Sequence, residues 1–259
     1  TLSSSSAASD VYKRQFFMSA EEIRHLQAKA PAGADLHTVS AFPSIRSLVK
    51  GFPPPPVEDA IEVEQNIEKI ARNVSHFGYF NIKPDDDGTV RWAPLLIRHR
   101  DRIYPHLSIE ALRMYVGAPQ LILNSADYGV DSIDIGRLHV PTDEKGRLLI
   151  NFRGRERTFP HYSFVDVLDG TAPASAFRDK IVLVGATGIG IYDMRVTPYS
   201  GVFPGVEIHA NVIDNILRGD PIIRPDWIAA VDLLTIRSWA SVSRRSSRAC
   251  GLSWRPCSP

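Results

Sequence analysis

The strongest hydrophobic pattern in the chain lies between Lys180 and Gly219. It opens with an apolar, mostly β-branched run, Ile181–Val184, which predicts a short strand buried on both faces. A glycine-rich turn and a polar loop follow, and the stretch ends in a predicted helix, Val206–Leu217, with Gly219 as its stop signal. Strand, glycine turn, polar loop and helix in this order are typical of a ligand-facing edge in an α/β domain.

The remaining hydrophobic patterns predict an α/β fold with a mixed sheet flanked by helices. Helices are expected at Met18–Ala30, Val57–Arg72, Leu107–Val116 and Phe164–Leu168, the last with Ser163 as its cap. Strands are expected at Phe77–Ile82, Val90–His99, Asp131–Val140 and Arg147–Phe152. Irregular structure is expected at Phe42–Phe52, a stiff proline spacer at Pro53–Pro56, and turns at Pro84–Gly88 and Thr142–Gly146.

The sequence contains partial matches to two binding motifs, and neither match is complete. The glycines at 185, 188 and 190 read G-x-x-G-x-G and are followed by a long loop, whereas a dinucleotide fingerprint needs G-x-G-x-x-G directly before a helix. The acidic run at 85–87 invites a calcium loop, but with Gly88 in sixth place the loop would begin at Lys83 and end at Pro94. Calcium needs Asp and a bidentate Glu there, so a hairpin turn is the better interpretation.

Charge and cysteine content exclude further classes of protein. The 259 residues carry a formal net charge of +1, so no nucleic-acid footprint is visible. Cys250 and Cys257 both lie near the C-terminus, so the rest of the chain has no thiolate metal site or disulfide. No apolar run approaches the roughly eighteen residues of a membrane span.

Both ends differ in composition from the rest. Residues 1–15 have no apolar period, and we interpret them as a non-native or disordered leader. Residues 237–259 switch to Arg, Ser, Trp, Cys and Pro, which indicates an out-of-frame or disordered tail. A single folded domain is then expected at 16–236.

The candidate chemistry is sparse. His209 lies on an apolar helix face, where a lone histidine is more often packed than catalytic. Asp193 and Thr197 lie in the preceding loop and could coordinate a ligand or cap the loop. No G-x-S-x-G elbow and no H-x-x-x-H or H-E-x-x-H pair is present. We therefore predict no catalytic residues, no metal and no cofactor.

Several segments in a fixed order resemble the CHASE2 domain, an extracytoplasmic sensor module of bacterial membrane receptors. The segments are Phe77–Asn81, Pro84–Arg91, Pro141, Gly146–Phe152, Ser163–Leu168, Lys180–Thr187, Asp193, Thr197–Pro198 and Pro204–Asn211. The resemblance runs from about residue 77 to about residue 225. The D-x-x-S-type segment and W-P-W-like element with which such domains usually begin are not found, which indicates a fragment lacking part of its N-terminus.

The resemblance implies a mixed α/β sensing domain anchored by membrane helices that are not in this chain. It also implies an output module, most often an adenylate or guanylate cyclase or a kinase, in a parent protein that forms a homodimer at the cell membrane. The signal would be a small molecule or a protein, with no role for nucleic acid. The ligand-binding residues we predict are Gly185, Thr187, Gly188, Gly190, Asp193, Thr197 and His209.

Two other interpretations stay open at this point. The chain could be a free-standing soluble α/β enzyme, hydrolase-like, that uses His209 and Asp193, although no nucleophile is found for it. It could also be a structural dimerisation module whose polar loop is only architecture.

Overall fold

In the computed structural model of the chain, the described residues are 14–18, 44–47, 55–64, 76–99, 102–185, 187, 193–223, 228 and 231–239. The chain divides into two units, Thr1–Ile222 and Ile223–Pro259. In the second unit residues 231–239 are helical. Apolar side chains are exposed there: Val231, Leu233, Leu234, Ile236 and Trp239. Among the described residues, no helix has both the length and the apolar character needed to cross a membrane.

The strands of the first unit form several small sheets. In chain order they are β1 (Arg14–Met18), β2 (Ser44–Ser47), β3 (Glu58–Ala60), β4 (Glu62–Glu64), β5 (Gly78–Tyr79), β6 (Trp92–Pro94), β7 (Leu96–His99), β8 (Arg102–Pro105), β9 (Leu121–Ala126), β10 (Gly129–Ile135), β11 (Leu138–Pro141), β12 (Arg147–Leu149), β13 (Met194–Arg195) and β14 (Phe203–Pro204). The longest sheet has the order β11-β10-β9-β2 and is mixed, because β2 pairs with β9 in parallel while the other pairs are antiparallel.

The other sheets are shorter. The orders are β4-β1-β5 and β3-β7-β8, and β12 pairs with β6 and β13 with β14 in antiparallel two-stranded ribbons. Together with the helices these sheets confirm the predicted mixed α/β class.

Three α-helices of this unit agree with the predicted ones. They are α1 (Leu107–Tyr115), α2 (Phe164–Leu168) and α3 (Gly205–Arg218), and Gly219 forms the left-handed C-cap of α3. The predicted cap of α2 is confirmed, since the backbone N–H of Val165 donates to Ser163 Oγ at 3.3 Å. Local signals were sufficient here because helix caps and stop residues act within one turn.

The predicted helix Val57–Arg72 is wrong over its described part, where β3 and β4 are found, and residues 65–75 lie outside the described residues. β3 pairs in parallel with β7, and this tertiary pairing overrides the helical spacing of the apolar residues. Ile61, an apolar residue within the predicted helix, is 56% exposed.

Several further boundaries need correction. β2 lies where irregular structure was expected, because its backbone pairs with β9. The predicted helix Met18–Ala30 overlaps β1 at Met18, and the rest of it lies outside the described residues. The single strand predicted at Asp131–Val140 is a hairpin, β10 and β11, that turns at Gly136-Arg137. The alternation of apolar and polar residues continues through both strands of the hairpin, so it did not reveal the turn.

The acidic turn at 85–88 is confirmed, since Gly88 N–H donates to the Asp85 carbonyl at 2.8 Å. It does not join a hairpin, however, because β5 pairs with β1 and β6 pairs with β12. Arg91 donates to the carboxylates of both Asp85 and Asp87, at 2.7–3.0 Å. These bonds hold the pKa of Asp87 well below its ordinary value. The acidic charge of this turn is therefore compensated by arginine.

One hydrophobic core joins both longer helices to the strands. Ile109 and Leu112 of α1 and Ile208 and Val212 of α3 are fully buried in it. Leu95, between β6 and β7, is buried there too, and the strands contribute further buried side chains: Leu96, Leu121, Leu123, Val130, Ile133, Ile135, Val140 and Leu148. In contrast, α2 has no buried residue, so it adds little to the core.

This contrast predicts unequal costs for the same substitution in two helices. Leu112→Ala should lower the free energy of unfolding by about 3 kcal/mol, because it removes buried methyl groups and leaves a cavity. Leu168→Ala in α2, where the side chain is 70% exposed, should change it by less than about 0.5 kcal/mol. Urea denaturation followed by circular dichroism measures both. Equal losses in the two variants would contradict this placement of the core.

Candidate functional site

Asp193 lies at the N-terminus of α3. The Gly205 N–H donates to the Asp193 carbonyl at 2.8 Å, and the pairing of β13 with β14 holds the two residues together. The Asp193 carboxylate occupies the space that a Cβ on Gly205 would fill, so a larger residue at 205 would displace it. A carboxylate in this position complements the positive end of the helix dipole. The structure thus places Asp193 at a helix end.

Gly185 meets the same first turn of α3. A Cβ on Gly185 would collide with the branched side chain of Val206, so this glycine permits close packing of the 181–185 segment on the helix. The strand predicted for this segment needs correction. Ile181–Val184 forms no strand in the described part of the chain, and Val184 is 49% exposed instead of buried on both faces. Only Ile181 and Leu183 pack partly against the core.

The rest of the predicted glycine turn contributes less. Thr187 is exposed, and Gly188 and Gly190 lie outside the described residues. Thr197 is buried in a turn of its own, where its hydroxyl and its N–H both donate to the Ser200 carbonyl, at 3.2 and 2.8 Å. The contacts of Thr197 are therefore those of a residue that shapes a turn.

His209 is buried on α3 and packs against a second histidine. The ring centroids of His209 and His106 are 4.9 Å apart, and the planes are tilted by 42°. His106 is fully buried, and its ring meets the Tyr79 ring edge-on at 5.1 Å. The Tyr79 hydroxyl in turn donates to the Pro94 carbonyl at 2.6 Å. His209 thus packs at the end of an aromatic cluster whose other members, His106 and Tyr79, the sequence did not indicate.

Burial determines the protonation of this cluster. Desolvation lowers the pKa of His106 well below its ordinary value, and the neighbouring His209 lowers it further. Desolvation likewise raises the pKa of Tyr79, with a smaller contribution from the Glu58 carboxylate. All of these effects favour the neutral forms of the His106 and Tyr79 side chains.

The polar face of α3 carries a row of three buried side chains spaced four residues apart, Glu207, Asn211 and Asn215, which we call the α3 polar row. Asn215 Oδ1 accepts the Asn151 N–H at 2.8 Å, and Asn215 Nδ2 donates to the Asn151 carbonyl at 2.9 Å. Asn211 Oδ1 accepts the Arg153 N–H at 2.9 Å. The row thus binds the backbone of the segment that follows β12.

Glu207 completes this attachment. Its carboxylate accepts the backbone N–H groups of Arg157, Thr158 and Phe159 at 2.9–3.4 Å. Because it also stands in the first turn of α3, the carboxylate is stabilised by the helix dipole as well as by these donors. The sequence contains a signal for the row, since polar residues repeat every fourth position beside the apolar stripe, but that signal does not name the partner.

Three arginines, Arg153, Arg155 and Arg157, follow β12, and such a basic cluster in a sequence predicts either a solvated loop or an anion site. The Arg153 side chain instead pairs with Asp214, at 2.6 Å, and with Asp220, at 2.5 Å. These carboxylates raise the pKa of Arg153 above its ordinary value. Arg155 and Arg157 are exposed, in agreement with a solvated loop.

The family now follows from comparison with known proteins. A family model described as CHASE2 domain matches residues 10–243. The chain belongs to the CHASE2 domain family. CHASE2 domains are extracytoplasmic sensory modules of membrane receptors and are not catalytic, which agrees with the sensor interpretation. Comparisons with curated proteins and with solved structures give no match.

Several of the segments that carried the resemblance meet at α3. Gly185 and Asp193 lie against its first turn, and Asn151 of the Gly146–Phe152 segment is bound by Asn215. These parts of the CHASE2 domain pattern therefore encode how α3 is held.

The α3 polar row yields a stability prediction. Asn215→Leu should lower the free energy of unfolding by about 2–4 kcal/mol, because it leaves the Asn151 N–H and carbonyl without their side-chain partner. Arg218→Ala, on the same helix, removes an exposed ion pair with Asp214 and should cost less than about 1 kcal/mol. Thermal and urea denaturation compare the two variants. A loss for Asn215→Leu no larger than that for Arg218→Ala would show that the row is dispensable.

Proposed function

We propose that this CHASE2 domain senses an extracytoplasmic signal for a bacterial membrane receptor with an adenylate or guanylate cyclase as its output module. The proposed signal is a small molecule or a protein, and the proposed receptor is a homodimer. Membrane attachment would come through helices outside the described residues.

One observation carries the choice of α3 as the responsive element. Its first turns contact three parts of the chain that are distant in sequence: the Gly185 segment, Asp193, and the N-terminal end of α1 at His106. A ligand that displaced any of these would alter how α3 is held. A sensor works by differential contacts of this kind between two states.

The geometry gives the hydrolase alternative no support. The His209 ring is only 6% exposed and packs on His106, so a substrate has no access to it in this arrangement. Asp193 lies against Gly205 at the helix end. A general base needs to reach the proton that it removes, and the described contacts of His209 are with other parts of the core.

The receptor proposal predicts what the neighbouring DNA encodes. Sequencing the source DNA on both sides of the reading frame should reveal membrane-spanning segments and a cyclase module in frame with this domain. A kinase module in that place would overturn the cyclase assignment but keep the receptor. If the DNA on both sides encodes neither membrane-spanning segments nor an output module in frame with this domain, the receptor proposal is contradicted.

A second prediction concerns Asp193 in that receptor. Asp193→Asn should change basal cyclic-nucleotide production in isolated membranes by about two- to fivefold, because it removes a charge that contributes about 0.3–1 kcal/mol at the helix end. Asp169→Asn, at the C-terminal end of α2, is the matched control and should leave production unchanged. Equal production in all three proteins would exclude Asp193 from the signalling path.

A further inference from the structure

The N-terminal end of α1 is joined to α3 by two contacts at one place. The rings of His106 and His209 face each other, and the Ser108 hydroxyl donates to the His209 carbonyl at 3.4 Å. We call these three residues the histidine clasp. All three are buried, so neither contact is supported by solvent, and the clasp depends on the protonation state of its rings.

His106 also caps the N-terminus of α1, and this role determines its tautomer. It is the N-cap of α1, and its Nδ1 accepts the backbone N–H of Ser108 at 3.3 Å. Nδ1 must therefore carry a lone pair, which places the ring proton on Nε2. Among the described residues Nε2 has no hydrogen-bond partner and is buried. The neutral ring thus caps the helix while its Nε2–H remains unpaired in the core.

Protonation would work against each of these features. A proton on Nδ1 would turn the cap acceptor into a donor that faces the Ser108 N–H. The new positive charge would stand at the positive end of the α1 dipole. It would also be buried, where an uncompensated charge is costly.

The groups packed around His106 supply little compensation. On α3 it faces His209, which is itself basic, and on β5 it faces the neutral phenol of Tyr79. On its own helix the nearest carboxylate is Glu110, which is already paired with Arg113 at 2.6 Å and bonded to His76 at 3.0 Å. Among the described residues, therefore, no carboxylate is left to pair with a proton added to His106.

We propose that the histidine clasp is a proton-operated switch, which holds α1 against α3 while His106 is neutral and releases the two helices when the surroundings acidify. This goes beyond the proposed function, because it names the proton as a signal that the domain itself registers. CHASE2 domains are extracytoplasmic, so the clasp would respond to the pH outside the cytoplasm.

The direction of the pH effect follows from the sign of the shift. The pKa of His106 is lower in the folded protein than its ordinary value of 6.5, because of burial first and His209 second. The unfolded chain therefore binds more protons below about pH 6.5. The stability that His106 contributes is fully present above that pH and is lost as the pH falls toward the folded-state pKa.

The test compares melting temperatures of the full chain at pH 7.5 and 5.5. Asparagine can cap a helix but does not titrate, so His106→Asn should remove at least half of the acid-induced fall in melting temperature. His139→Asn is the control, since its side chain is exposed and pairs with Asp134, and it should keep the fall of the unsubstituted protein. An equal fall in His106→Asn and the unsubstituted chain would overturn the proposal.

A second measurement needs no variant and applies even if His106→Asn does not fold. Hydrogen exchange of the unsubstituted chain, corrected for the intrinsic effect of pH, should show at least tenfold less protection at pH 5.5 for amides in the first turns of α1. Strands β9 and β10, whose backbones pair with each other, serve as the internal reference. Unchanged protection of α1 relative to these strands would also overturn the proposal.

Discussion

The structure depends on side chains of α3 that bind the backbone of the segment after β12. Asn215 exchanges two hydrogen bonds with Asn151, as a neighbouring strand would, and Glu207 accepts three further N–H groups. Buried backbone groups without partners are expensive, so this segment can pack against the core only because the helix satisfies them. The adjacent face of α3 supplies Ile208 and Val212 to that core. Polar and apolar faces together therefore fix where α3 lies.

This position determines what can converge at the N-terminal end of α3. The Asp193 carboxylate takes the space beside Gly205, and the 181–185 segment packs closely on Val206. Both contacts require glycine at one partner, so close packing accounts for Gly185 and Gly205. Phosphate-binding loops also use glycine, but the dinucleotide fingerprint is not met in this sequence. The same residue type serves both purposes, and only the three-dimensional neighbours distinguish them.

The helices could be predicted because their signals are local. Ser163 caps α2, Gly219 ends α3, and apolar spacing marks α1, each within a turn or two of the chain. The strand β3 could not be predicted, because it owes its conformation to pairing with β7. The site divides in the same way. Asp193 and Gly185 were proposed from the pattern of their own segment, whereas Tyr79 reaches His106 and His106 reaches His209 only through tertiary packing, which no spacing rule anticipates.

The two ends of α3 differ in how they can respond to a signal. Toward its C-terminal half the helix is held by the amides of Asn211 and Asn215 and by the ion pairs of Asp214 with Arg153 and Arg218. Its N-terminal half contacts Asp193 and the His106–His209 pair, which belong to other segments of the chain or pack against them. A bound ligand or a proton alters charge and hydrogen bonding locally, and a packed element converts such a change into a shift between two arrangements. In the sensor proposed above, the N-terminal half of α3 is therefore the end that would respond to the signal.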